Sequence, residues 1–145
     1  MERTGRPKIR IRDEEVKAIL FRNFAGAPDR FNPNGTMGNF WVVLEEEKAR
    51  ELEEARLNIR WKPNRDGDLE PRLQIFVRWD KVPPMVVLKT STSETVLDED
   101  TVSCLDYADI IHVNLVLSPN EYDPTKPKKA YLSRGKFTIE EDEDD

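Results

Sequence analysis

The chain has 145 residues, 37% of them hydrophobic, which suits one globular domain able to bury a single core. No apolar run approaches the roughly 18–20 residues that a membrane span requires. The start MERTGRPKIRIRDEE holds no apolar segment for a signal peptide, so a soluble, cytoplasmic protein without a membrane partner is expected. Its single cysteine, Cys104, excludes an internal disulfide, and its net charge of -6 is at first sight unsuited to nucleic acid.

That charge is unevenly placed. Glu140, Glu141, Asp142, Glu143, Asp144 and Asp145 close the chain; without them 23 basic residues face 23 of the 29 acidic ones, and the body is neutral. A block of like charge repels itself into an extended, solvated state, so residues 140–145 read as a disordered tail. Such a tail serves solubility, recruits basic partners or covers a basic groove on its own domain. At the other end Arg3, Arg6, Lys8, Arg10 and Arg12 make residues 1–15 a basic, flexible arm, either a mobile terminus or a contact to phosphates. The folded domain is expected over residues 16–139.

Within it, VKAILFRNF (16–24) is compatible with a strand and runs into a Gly-, Pro- and Asn-rich connector that ends at the strand FWVVL (40–44). A hairpin needs about two to five residues, so this connector is longer than topology demands; it is either shaped for a ligand or packs over an open barrel end. EEEKARELEEAR (45–56) is a helix of good helix formers with early glutamates at the positive end of the dipole. Its apolar residues are only Ala49, Leu52 and Ala55, which makes it a surface strap.

LNIRW (57–61), the polar tip KPNRDGDLEP (62–71) and RLQIFVRW (72–79) follow as a hairpin. Side chains alternate across a sheet, so Leu73, Ile75, Val77 and Trp79 point one way and Arg72, Gln74, Phe76 and Arg78 the other. On the partner strand Leu57, Ile59 and Trp61 point inward, Asn58 and Arg60 outward, with Lys62 beyond. The outward set is a basic surface around an aromatic ring. Cations neutralise phosphates, and an exposed ring stacks an unpaired base for roughly 1–3 kcal/mol. The same pattern also fits an ordinary solvated face, or one covered by the helix.

Pro83-Pro84 precedes a further hairpin, MVVLKT (85–90) and ETVL (94–97); an acidic connection (97–109) leads to IIHVNLVLS (110–118), and AYLSRGKFTIE (130–140) ends the domain, with Gly135 marking a bulge or bend. Five or six strands and one surface helix point to a mainly β fold, a small OB-fold-like antiparallel barrel. His112 and Cys104 are single and in different elements, and no phosphate-cradling or nucleophile motif occurs. Asp98, Glu99, Asp100, Asp106 and Asp109 suit either a divalent metal or a solvated loop, the commoner case. No enzyme, cofactor or metal is expected.

The segments NFAGAPDRFNPNGTMGNFWVVL, PPMVVLKT, SETVLDEDTV, DYADIIHVNLVLSPNEYD and KKAYLSRGKFTIEEDEDD, in this order, resemble bacteriophage single-stranded DNA-binding proteins of the OB fold over roughly residues 20–145. The resemblance implies coating of exposed strands in phage DNA replication, recombination and repair. It also implies an acidic tail that contacts replication or recombination proteins and competes with DNA for the groove. On this reading Arg60, Lys62, Arg72 and Arg78 hold phosphates, Phe76 and Trp61 stack bases, and Gln74 shares their face. Lys128, Lys129, Tyr131 and Arg134 on the final hairpin join them, with Lys89 extending the track. In the connector, Arg30 and the amides from Asn32 to Gly38 reach the backbone, while Phe24, Phe31, Phe40 and Trp41 divide between anchoring and stacking. An open edge strand would allow a homodimer. A different class also fits: a non-enzymatic protein-interaction module or inhibitor acting on a host or phage protein through the tail and sheet.

Overall fold

Alternation of apolar and polar residues builds most of the molecule, and in the computed structural model it is described for residues 8–28, 33, 35, 37–80 and 83–140. Among these residues the strands are β1 (Ile9–Ile11), β2 (Val16–Asn23), β3 (Gly38–Leu44), β4 (Ile59–Pro63), β5 (Leu69–Val77), β6 (Met85–Lys89), β7 (Glu94–Leu97), β8 (Ile110–Asn120) and β9 (Lys129–Ile139). They form one sheet in the order β1-β8-β9-β5-β3-β2, with β4 added to β5, β6 to β9 and β7 to β6. Among the described residues no helix is long and apolar enough to cross a membrane.

Among the described residues the expected mainly β fold with one α-helix is present; the sheet has nine strands in place of five or six, and it departs in two further ways from an antiparallel barrel. Strand β9 runs parallel to β5 and to β6, and β1 and β2 end the strand order without pairing to each other, so the sheet stays open. The parallel pairings of β9, and the pairing of β1 with β8 in place of β2, join residues far apart in the chain, which local alternation does not encode.

The core is centred on three rings with no exposed surface. Phe24 stacks on Phe40 at 4.6 Å between centroids, and Phe137 meets them edge-on at 5.3 and 6.1 Å. Two glycines make room for this cluster. A Cβ on Gly38 would collide with the Phe24 carbonyl oxygen, and one on Gly135 would lie 2.7 Å from Phe137 Cε1. Trp79 closes the rim by donating from Nε1 to the Phe24 carbonyl at 3.1 Å. Phe24 and Phe40 are therefore core residues, and Phe31 lies outside the described residues.

Part of the expected flexible arm is ordered structure. Ile9 and Ile11 alternate with cations and pair with Leu117 and Leu115, and Ile11 is fully buried. Beyond them Asp13 begins a 3-10 turn (Asp13–Glu15) and accepts from the Val113 amide at 2.9 Å, while its other oxygen lies 2.9 Å from His112 Nδ1. Residues 1–7 are outside the described residues, as are 141–145 of the acidic tail; Glu140 is exposed and its amide donates to Asp109 O at 3.0 Å.

The helix α1 (Glu46–Glu54) buries Ala49 and Leu52, as a strap should, whereas Ala55 is exposed. Its end is a Schellman turn: Leu57 N donates to Leu52 O at 3.0 Å and Arg56 N to Glu53 O at 2.9 Å. The turn requires a left-handed residue, normally glycine, yet Arg56 sits there with φ +71°. Its side chain accounts for the exception. Arg56 Nη1 pairs with Glu121 at 2.7 Å, and Nη2 donates to Pro124 O at 2.7 Å and Lys126 O at 3.1 Å, so the guanidinium ties down the β8–β9 loop. Arg56→Ala loses these bonds and keeps the backbone strain, whereas Arg56→Gly loses the bonds and relieves it. In urea unfolding the glycine variant is expected to be the more stable of the two by about 1 kcal/mol. In both, amide exchange of Lys128, which donates to Arg56 O, should accelerate.

Candidate nucleic-acid interface

Strand β5 presents two faces. Leu73, Ile75 and Val77 are at most 1% exposed and belong to the core, while Arg72, Gln74 and Phe76 between them are half-buried on the outer face. Register then extends this outer face sideways, because residues directly opposite one another share a side of the sheet. Phe76 faces Asn39 on β3 and Tyr131 on β9, and Tyr131 in turn faces Ser118 on β8. One pair further, Gln74 faces Trp41, and beyond it Arg72 faces Arg60.

The rings at the centre touch. Phe76 and Tyr131 lie 5.6 Å apart at 36°. Lys129 Nζ sits 5.6 Å from the Phe76 ring and 5.4 Å from the ring of Tyr122, which the β8–β9 loop brings over β9. The two tyrosine hydroxyls are 2.6 Å apart, and Asn120 Nδ2 donates to Tyr122 at 3.2 Å. Burial, and then the Tyr122 hydroxyl, push Tyr131 up to about 12, so its ring stays neutral at any physiological pH. Arg56 holds the loop that carries Tyr122, and so supports this cluster from the far end of α1.

Cations border the rings. Arg60 and Arg72 are directly opposite, a like-charge pairing that costs stability unless an anion intervenes. Glu70 takes Arg72 at 2.9 Å, and Arg60 has no ion pair among the described residues. Phe21, 67% exposed in a left-handed conformation at a break in the β2–β3 register, lies 6.0 Å from the Arg72 guanidinium. Arg78, past the end of β5, pairs with Asp80 at 3.0 Å.

The structure thus brings together Arg60, Arg72, Gln74, Phe76, Arg78, Lys129 and Tyr131. Trp61 does not join them: it points to the opposite side of β4 from Arg60, where Nε1 donates to Glu53 at 2.7 Å and Arg50 covers its ring at 5.1 Å, so it packs against α1. Lys62 faces Glu70 at the margin. Lys128 is half-buried at the loop end. Arg134 lies further along β9, and Lys89 faces Thr138 at the far end of that strand, apart from the rings. Arg30 lies outside the described residues.

Asn39, Phe21 and Tyr122 are not legible in the sequence as parts of this face, and Trp41 only as one of four rings that divide between anchoring and stacking. FWVVL is apolar throughout, so alternation cannot assign Trp41 a side, and Tyr122 stands in a turn without periodicity. His112 is exposed on β8 beside Asp13, as a sheet-face histidine. Among the described residues no three metal-ligating side chains converge; Asp98 instead accepts from the Asp100 and Thr101 amides within its own turn.

The fold itself has solved relatives. A C-terminally truncated single-stranded DNA-binding protein from bacteriophage Enc34 superposes with a TM-score of 0.53 at 10% identity, over 94% of this chain and 87% of that one. A structure of the Enc34 protein in complex with ssDNA gives 0.53 at 11% identity, over 94% and 88%. At such identity these likenesses establish the fold alone. No curated protein matches. The family model described as "Putative phage ssDNA-binding domain" matches residues 5–145. Because that match spans nearly the whole sequence, the chain belongs to this phage ssDNA-binding domain family.

Proposed function

We propose that the chain binds single-stranded DNA without sequence preference across the outer face of β3, β5 and β9. The observation that carries this reading is the Phe76–Tyr131 pair with Lys129 against it, bordered by Arg60, Arg72 and Arg78. Every base has a face to stack, and every nucleotide a phosphate, so rings beside cations bind any sequence. Asn39 and Gln74 already share a hydrogen bond at 3.3 Å, which leaves little edge recognition in the centre of the face.

The biological role we assign is coverage of exposed strands during phage DNA replication, recombination and repair, in the host cytoplasm. Family membership and the sheet geometry support it. We assign the acidic segment 140–145 to recruitment of replication proteins and to competition with DNA for the cationic face. Its charge supports this, as does its start at Glu140, directly after β9.

Two outcomes are expected from fluorescence titration with a labelled oligo(dT). Phe76→Ala should weaken binding by roughly 1–3 kcal/mol with the salt slope kept, while Arg60→Gln with Arg72→Gln should lower that slope by about 1.4, or 0.7 per phosphate contact. Full binding by both variants would remove this face from consideration. Deleting residues 140–145 should tighten binding most at low salt, where unscreened carboxylates compete best. A protein-interaction module would instead bind no oligo(dT) at any salt, with or without the tail.

A further inference from the structure

The first ordered strand places a second set of cations beside the rings. In β1 the residues Ile9 and Ile11 face the core, so Lys8, Arg10 and Arg12 face outward. Register gives each a neighbour on β8 and β9. Lys8 Nζ donates to Ser118 at 2.7 Å and Ser133 at 3.3 Å. Arg10 faces Val116, which faces Arg134. In the next outward row Asn114 faces Lys136, and Arg12 follows Ile11 at the end of β1.

None of these outward positions is a carboxylate, in a protein whose net charge is -6. Arg10 and Arg134 make no ion pair among the described residues; Lys8 is bound to the two serines, and Lys136 pairs with Glu94 at 3.3 Å. Two rails of cations, on β1 and on β9, therefore flank a shallow floor of Ser118, Val116 and Asn114. The rails are about 9.5 Å apart, twice the strand spacing, and their charges recur about every 6.7 Å, two strand residues. That repeat is comparable to the phosphate spacing of an extended single strand. The floor has no aromatic ring, so it offers nothing for a base to stack on.

We propose that this strip is a second, backbone-only subsite, in which the phosphates of the strand run along β8 after its bases have stacked on Phe76 and Tyr131. The two regions are contiguous, because Ser118, under Lys8, is the direct neighbour of Tyr131. The proposal rests on the binding face described above. It assigns the basic N-terminal strand a role that lengthens the footprint without adding base contacts.

The test compares the full chain with an Arg10→Gln, Arg12→Gln, Arg134→Gln variant by fluorescence anisotropy, using labelled oligo(dT) of about 5 and about 16 nucleotides, within the range one such fold covers. On the long oligonucleotide the variant should bind roughly ten- to a hundredfold more weakly at 0.1 M salt, with a salt slope lower by about 2, from three phosphate contacts. On the short one it should match the parent. Lysines at the same positions should restore the slope, which separates charge from any effect on folding. Equal losses at both lengths, or no loss at either, would overturn the subsite. Failure of the face itself shows separately: the parent would then bind the short oligonucleotide no better than Phe76→Ala does.

Discussion

Strand β5 is where the core and the outer face are made at once, and the rest of the molecule is arranged around it. Its residues alternate with period two, so burying Leu73, Ile75 and Val77 forces Arg72, Gln74 and Phe76 to the other side. The core side is held by the packing of Phe24, Phe40 and Phe137, which Gly38 and Gly135 permit. The strand also meets β3 along one edge and β4 and then β9 along the other. A one-residue slip in any of these ladders would bury cations and expose the core, so the pattern that stabilises the fold also fixes which residues face solvent.

The electrostatic consequence is local. The chain as a whole is acidic, yet Arg60 and Arg72 stand opposite one another, and Lys8, Arg10 and Arg134 gather with no carboxylate between them. Like charges in neighbouring register positions oppose folding weakly at a solvated surface. Such an arrangement is relieved when phosphates arrive and the counterions leave. Net charge therefore says little about this protein's ligand, and the register of its strands says much more.

How far the sequence revealed this depends on the kind of contact. The alternation in RLQIFVRW assigned both faces of β5 correctly, and the polar composition of α1 marked it as a strap with Ala49 and Leu52 beneath. Charge dominates the reading of the N-terminal arm, although KIRIR alternates with period two and its central Ile9–Ile11 is a strand; the pattern is only five residues long. Alternation places Trp61 inward, as the structure does, and only its ring marks it for stacking. Tyr122 and Asn39 reach the face only through the β8–β9 loop and the β3–β5 register. No local signal encodes either. Arg56 escaped for a related reason, since a helix stop is usually read from glycine and here an arginine takes the left-handed position.

The most direct measurement is ultraviolet cross-linking of the full chain to oligo(dT), with the modified residues located by mass spectrometry. Adducts on Phe76, Tyr131 or Tyr122 are expected, because these rings lie together on the face that β5 builds. Adducts confined to Trp61 and the helix above it would contradict the account, since they would place the strand on the side of the sheet that α1 covers.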